Sequence, residues 1–493
     1  IDIDVESHRR LEIYDLVFKR YGDTDWQSPS ALSRCATVAM VDTYRARNAI
    51  RDTGAALGLA SMEIDLIAKS LPHVRARNIE ATLKSLPELH SLNLSAPLTA
   101  MVISLAQRLD GLPRHLAMHP CAVVLSDAGL LDRAPVQLNA SGYPMVEFDK
   151  DDVEEIGLLK LDILGVRMQS TIAHAVHEIK RVENIELDID AIPLDDEATY
   201  KLIQSTRTLG IFQVESPGQR ELVGKLAPQT FADLIIDISL FRPGPVKSDM
   251  IRPFLNARHG FTPAQIIHPD LYEILVQTEG VVVFHEQVIS IIATLTGISL
   301  AAADEKRRAL GSSAGQQEVC DWFFPAATAR GYELAVITQI WDVLRAFASF
   351  GFCKAHAAAF ALPTYQSAYL KTHHPAAFIA GILTHDPGMY PKRLMIDEAR
   401  QLGVGLAPLD INFSGDRYLV EEPASEEPAK GQSVRIALTS VSGISKREVI
   451  SIIAGRPYID LADFYRRSGA SQPVIETLIM TGAFDRVHSL TSG

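Results

Sequence analysis

Cysteine is scarce in this chain. Four occur in 493 residues (Cys35, Cys121, Cys320 and Cys353). No two form a CxxC pair, so the spacing suggests neither a zinc site nor a disulfide framework. Long apolar runs are also missing: 47% of residues are hydrophobic, yet no run is long enough to span a bilayer. That points to a chain without a membrane partner and, by default, to the cytoplasm. Positive charge falls short as well, with 47 Lys and Arg against 60 acids and a net charge of -13. This argues against a generally basic nucleic-acid coat but leaves room for a local basic cleft. There is no repeat of fixed period, and EEPASEEPAK at 421–430 is the one low-complexity stretch, a solvated loop by composition. A strand begins at once, IDIDV, with no leader or initiator Met before it. The expectation is a piece of a longer protein, and the terminal TSG reads as a cut edge. The length predicts more than one domain.

Residues 1–5 alternate like a strand, and Ser7 can cap a helix carrying Leu11, Tyr14, Phe18 and Tyr21 at helical spacing. Residues 37–107 read as several helices, followed by strands in CAVVLS and PMVEFDK around the polar turn NASGYP. GLLKLDILG reads as a short strand running into a helix near Val166. From about 168 to 415 the pattern is mostly helical, punctuated by LFRPGP, EGVVVFHEQ and FGFCKAH. A short strand, SVRIALTSV, and two small helical units close the chain.

Side chains two apart on a strand share a face. Asp2 and Asp4 therefore project together, and so do Lys160 and Asp162 in GLLKLDILG. Such strands side by side would gather carboxylates beside one lysine. Clustered carboxylates call for a hard cation such as Mg²⁺, and a lysine nearby suits a phosphate. The plain alternative for a lone DxD is the solvated face of a sheet. ADEKRRALG offers Arg307 and Arg308, placed just inside a helix start, as forks for a triphosphate, or else as an exposed helix face. GLPRHLAMHP holds Arg114, His115 and His119 in what reads as a polar turn, with no metal-ligand partners for the histidines. Acids vanish altogether between Asp342 and Asp386. There Arg345, Lys354 and Lys371 interleave with aromatics, a pattern that suits nucleotide or nucleic acid, although most of those aromatics fit a helical core. Lys354 and His356 are the better functional candidates. Arg242 stands at a loop stiffened by Pro243 and Pro245. SVSGISKREVISII, with Gly443 and Lys446, reads as a hairpin whose backbone N–H groups could meet a DNA phosphate.

GLLKLDILGVR, IFQVESPG, LFRPGP, EGVVVFHEQV, ADEKRRALG and FASFGFCKAHAAAFAL stand in the order found in the bacterial C-family DNA polymerases. The chain resembles that family, which includes the DNA polymerase III alpha subunit, over almost its whole length. ESHRR, DGLPRHLAMHP and THHPAAF resemble its error-prone, translesion branch. The resemblance implies an α+β multidomain fold with a polymerase-beta-like mixed-sheet palm (1–32 and 108–167). It also implies a helical thumb (33–107), helical fingers (168–415) and the start of helix-hairpin-helix elements (416–493). It implies template-directed deoxynucleotidyl transfer to a primer 3′-hydroxyl with two Mg²⁺ ions, in replication or error-prone repair.

Residue by residue, Asp2 and Asp4 match the second and third aspartates of the family's PDxDxD strand. Asp162 matches the remaining catalytic aspartate, with Lys160 as its phosphate-binding neighbour. The first aspartate would precede Ile1, so this piece alone is expected to be inactive. Arg307, Arg308, Lys354, His356 and Arg242 are expected at the dNTP, and Arg114, His115, Lys371, Gly443 and Lys446 at DNA. Primer-template DNA and dNTPs are the implied partners. A sliding clamp and accessory proteins would be reached through regions outside this chain. His285 and Ser445 depart from the family pattern. Two rivals remain open: a DNA-binding scaffold without catalysis, and a two-metal phosphodiesterase, which would need more His or Asp ligands.

Overall fold

The computed structural model describes residues 1–22, 34–85, 96–241, 251–347, 352–422 and 431–490. The chain is α+β and divides into two compact units, Ile1–Gly165 and Val166–Gly493.

The first unit is built on a mixed six-stranded sheet. Its strands are β1 (Asp2–Glu6), β2 (Cys35–Thr43), β3 (Pro113–Leu125), β4 (Val136–Leu138), β5 (Pro144–Val146) and β6 (Leu159–Val166), in the order β1-β6-β3-β2-β5-β4. Helix α1 (Arg10–Tyr21) sets Tyr14 and Phe18 against Val123, Leu161 and Ile163. Its other two periodic residues, Leu11 and Tyr21, are exposed. Ser7 does not cap α1: it lies in a 3-10 turn, and the N-cap position is Arg9, without a side-chain bond.

Residues 35–43 are a strand rather than the helix that their alanines suggest. CATVAMVDT carries β-branched Thr37, Val38, Val41 and Thr43, and it pairs with β3 along its whole length. Cross-strand packing overrides a weak helical propensity. GLPRHLAMHP is likewise no turn, since Pro113–Leu125 is one long strand. Between β2 and β3, among the described residues, α2 (Ala46–Ala56), α3 (Ser61–Ser70), α4 (Ile79–Ser85) and α5 (Pro97–Arg108) pack on their own core. Ala49, Ile50, Ile67, Ile79 and Val102 meet there.

The second unit is mostly helical. One core joins the helices Arg167–Glu183 and Pro375–His385 to a small sheet, β7 (Gly405–Ala407), β8 (Leu419–Glu421) and β9 (Ser433–Arg435), in the order β7-β9-β8. A second core gathers the helices His285–Thr296, Ser313–Ala329 and Leu334–Phe347. A third holds the C-terminal helices Lys446–Ala454, Leu461–Arg467 and Gln472–Met480. Among the described residues no single helix is long and apolar enough to cross a membrane.

Candidate active site

The two acidic strands come together. The Ile1 amino group donates to Lys160 O (3.2 Å) and Ile1 O accepts from Asp162 N (2.8 Å). This slanted pattern belongs to a parallel pair, and it carries Asp2 alongside Asp162, with Asp4 two residues further on the same face of β1. On β6, Leu161 and Ile163 are buried while Lys160 and Asp162 are only partly covered. The alternation expected of GLLKLDILG holds from Lys160 to Ile163, while Leu159 is exposed. The Asp162 side chain keeps 22% of its surface exposed, and its Oδ2 lies 3.4 Å from Lys160 Nζ. Lys160 Nζ also pairs with Glu154 Oε1 at 2.8 Å. Glu154 first, then Asp162, raise the lysine pKa above its ordinary value while partial burial opposes them. Lys160 is a fixed point charge beside the carboxylates.

A β-bulge completes the site. In the β2–β3 register Thr37 faces Val123 but Ala39 faces Met118, so Val38 alone stands opposite residues 119–122. The extra residues throw β3 out of plane and swing His119 and Cys121 toward β6. Cys121 Sγ lies 3.7 Å from Asp162 Oδ1 and 3.6 Å from His119 Nδ1. His119 Nδ1 accepts the backbone N–H groups of Cys121 (3.4 Å) and Ala122 (3.1 Å). Burial lowers the His119 pKa, so the ring favours its neutral form. Burial, then Asp162, raise the Cys121 thiol. The Tyr14 hydroxyl is buried with no hydrogen-bond partner among the described residues, and its pKa is pushed up to about 12, chiefly by burial. Arg10 stacks on the Tyr14 ring (5.7 Å) and donates to Pro120 O.

Spacing alone shows no ligand partner for His119, because Asp162 stands 43 positions later and is brought in only by the β3–β6 register, Ala122 opposite Asp162. The usable signal was His-x-Cys in the same stretch as a strand-forming CAVVL.

Arg114 and His115 lie further along β3. Arg114 Nε and Nη2 grip both oxygens of Asp52 at 2.7 and 3.1 Å, and His115 is exposed beside it. The guanidinium fork is thus already matched by a carboxylate on α2.

In the second unit, Arg307 and Arg308 occupy the last turn of Leu300–Ala309, not its start, which Ser299 caps through Ala302 N. Cations are favoured at that end by the helix dipole. Both bind Asp304, at 2.8 and 2.9 Å, and Arg308 remains 73% exposed while Arg307 is 22% exposed. Lys354 opens the helix Lys354–His373. Its backbone N–H is held by both oxygens of Glu286 at 2.9 Å, and its Nζ reaches Gln277 Oε1 at 3.1 Å. His356 sits between the Phe352 and Phe360 rings, centroids 5.3 and 4.2 Å away.

Lys371 does not face solvent or DNA. Its side chain is 0% exposed, its Nζ lies 2.7 Å from Glu398 Oε1, and it donates to the carbonyls of Arg207 and Leu209. Absence of acids in the local sequence suggested a free cation, but the acid comes from the helix Lys392–Gln401. Arg242 lies outside the described residues.

Gly443 adopts φ +82° in an open turn, and Lys446 is exposed at the first position of its helix. The turn SGIS recurs as SGAS at 468–471, with Gly469 at φ +67°. One carboxylate ties both: Glu448 Oε2 accepts Ser445 N (2.7 Å), and Oε1 accepts Ser471 N (2.9 Å). A cleft of about 590 Å³ in the same unit is lined by Phe212, Gln213, Glu215 and Gln219 of the IFQVESPG region. Among the described residues it contains none of those expected at the dNTP, and Glu215 there accepts backbone N–H groups from Gly210 and Met389.

Residues 1–165 match the bacterial DNA polymerase III alpha NTPase domain, and residues 168–330 the finger domain of the same subunit. The chain belongs to the C family of bacterial DNA polymerases. Residues 403–490 match a helix-hairpin-helix motif, where the two SGxS turns lie. Its relatives include proteins named error-prone DNA polymerase. The one from Symbiobacterium thermophilum is 36% identical over 99% of this chain and 46% of its own length. Those from Teredinibacter turnerae and Pseudomonas aeruginosa are 33% and 32% identical, over 99% and 98% of this chain and 47% and 46% of theirs. The chain spans about half the length of these curated relatives, and the similarity sets this C-family member in the error-prone branch.

Proposed function

We propose that the chain is the catalytic core of a template-directed DNA polymerase that extends a primer by deoxynucleotidyl transfer. Palm (1–32, 108–167), thumb (33–107), fingers (168–415) and the start of the duplex-binding hairpins (416–493) are the assignments we adopt. The observation that carries the reading is Asp162 on β6 with Lys160 on its own face and Asp2 on the adjacent parallel strand. Partly exposed carboxylates on neighbouring strands fit a hard divalent cation that retains water ligands. Asp2 and Asp162, with Asp4 beside them, would hold Mg²⁺, in the family's pattern two ions. When bound, Mg²⁺ supplies the acidity that ionises a primer hydroxyl and the charge that offsets a pentavalent phosphate.

The remaining roles belong to side chains. Lys160 keeps its proton, because Glu154 and Asp162 favour the ammonium, and it presents that charge to a phosphate oxygen. Arg308, mostly exposed at a helix end, is suited to the triphosphate, with Arg307 beside it. His356, wedged between aromatic rings, can gauge the sugar, and Lys354 lies two residues before it. Gly443, Lys446, Arg114 and His115 are assigned to DNA, a sliding clamp and accessory proteins to regions outside this chain, and the protein to the cytoplasm.

Templated primer extension tests the reading. Asp162→Asn in the natural protein should abolish extension, a loss of several kcal/mol of transition-state stabilisation, while DNA affinity persists. Extension at near wild-type rate would overturn the assignment.

A further inference from the structure

The His119–Cys121–Asp162 group is not needed by the proposed polymerase chemistry, which draws only on Asp162. Among the described residues it is the one group of three His, Cys, Asp or Glu side chains whose ligand atoms lie within 4.8 Å of one another. Tetrahedral zinc, with a Zn–S bond of about 2.3 Å and Zn–N and Zn–O bonds of about 2.0–2.2 Å, requires S···N and S···O separations of about 3.6 Å. The observed values are 3.6 Å for Cys121 Sγ to His119 Nδ1 and 3.7 Å for Cys121 Sγ to Asp162 Oδ1.

A second observation points the same way. Tyr14 is fully buried, and among the described residues its hydroxyl has no hydrogen-bond partner. It packs with Met118, Leu161 and Ile163, and its ring is covered by Arg10, which is itself tied to Pro120 of the bulge. Cys121 and Asp162 both act electrostatically on that hydroxyl, and a water in the fourth position of a metal held by them would be a partner for it.

We propose that His119, Cys121 and Asp162 form a binding site for a thiophilic divalent cation, Zn²⁺ by ligand chemistry, which shares Asp162 with the catalytic site. Sulfur and imidazole select Zn²⁺ over Mg²⁺, whose preference is for oxygen. Binding forms a metal–thiolate bond and releases the Cys121 thiol proton to solvent; nothing is oxidised. The ion also takes the His119 Nδ1 lone pair from two backbone donors, Cys121 N–H at 3.4 Å and Ala122 N–H at 3.1 Å. Both bonds are long or near the long limit, so their loss weakens the site without closing it. Asp162 Oδ1 faces Cys121 while Oδ2 faces Lys160, so one carboxylate serves both ions, and occupancy by the thiophilic cation changes the charge and geometry that it offers Mg²⁺.

Cobalt(II) is the probe, since a thiolate ligand gives it a charge-transfer absorption that Mg²⁺ and Zn²⁺ lack. Titrated into this chain, Co²⁺ should produce that band at one equivalent, and Zn²⁺ should displace it. Cys121→Ser should remove the band while far-ultraviolet circular dichroism stays unchanged, whereas Cys353→Ser should keep it. Asp162→Asn should weaken Co²⁺ binding by at least the roughly 10–100-fold that loss of an outer-shell partner costs a metal site. No band in the parent chain, or a band that survives Cys121→Ser, would overturn the site. Unchanged affinity in Asp162→Asn would overturn the sharing. None of these readouts depends on polymerase activity, so the metal site and the polymerase assignment fail separately.

Discussion

Lys371 is the residue for which sequence and structure disagree most sharply, and the disagreement can be measured. Its ammonium is fully enclosed, paired with Glu398 at 2.7 Å, and bonded to the carbonyls of Arg207 (2.7 Å) and Leu209 (2.8 Å). Burial outweighs the pull of Glu398 and lowers the lysine pKa, so the pair as a whole is no bargain over solvated ions. Lys371→Met keeps the volume and removes the charge. It strands Glu398, 5% exposed, without its counter-ion and leaves two carbonyls without donors. Breaking a buried pair from one side costs about 3–5 kcal/mol. The double variant Lys371→Met, Glu398→Met removes both charges and should recover most of that loss, since replacing a buried pair by apolar residues is often neutral or better. A chain of two units need not melt in one step, so the assay is hydrogen exchange in the helix Lys354–His373, which reads local stability. The single variant should exchange faster by on the order of a hundred- to several-thousand-fold, at 1.36 kcal/mol per tenfold, and the double variant much less. DNA affinity at low temperature should be unchanged. Normal exchange together with a weaker, less salt-dependent DNA affinity would show Lys371 facing phosphate and refute the placement.

Other consequences follow from the exposed cations and from the hairpins. Arg308→Ala should raise the KM for dNTP by roughly tenfold or more, the worth of about 1.5–3 kcal/mol for a charge-assisted contact; a change in DNA affinity alone would place the arginine at the duplex. Asp304→Asn should free both arginines, leaving the helix intact by circular dichroism while altering dNTP affinity. Glu448 is depressed to about 2, first by Ser445 and then by Ser471. A carboxyl depressed on folding stabilises above its unfolded pKa and loses that contribution as pH falls through the folded value. The hairpin pair should therefore hold at neutral pH and loosen between about pH 4.5 and 2, and an NMR titration of Glu448 centred near 4.5 would rule out the bridge. Glu448→Ala should separate the two turns and speed amide exchange at Ser445 and Ser471.

What could be read from the sequence was local. The alternation of GLLKLDILG placed Lys160 and Asp162 on one face, because strand periodicity is a property of adjacent residues. The helical character of 168–415 was equally plain, since its apolar residues recur over long stretches. Residues 35–43 misled because alanine and methionine allow a helix, and only the pairing partner, 70 and more positions later, decides for a strand. Arg307 and Arg308 are legible as a pair, but they fall in the last turn rather than the first because Ser299 caps their helix.

The site shows the same division at finer grain. How available a cation is to a ligand depends on how far a protein acid has paired with it and enclosed it, and sequence distance does not report such pairing. Lys371 lies in a stretch without acids and is neutralised by Glu398; Arg114 is matched by Asp52 across the fold. Arg308, by contrast, has its acid four residues away at Asp304 and is still the most exposed of these cations. The converse holds for ligands. His119 looked isolated, and the bulge that puts it beside Cys121 and Asp162 is set by how β2 and β3 pair. A polar cluster assembled from three strand positions is invisible to spacing rules, which find ligands only when one helix or one turn carries them. The β3 bulge therefore does more than end a ladder: it decides whether Asp162 meets only hard, oxygen-seeking ions or also a thiol and an imidazole.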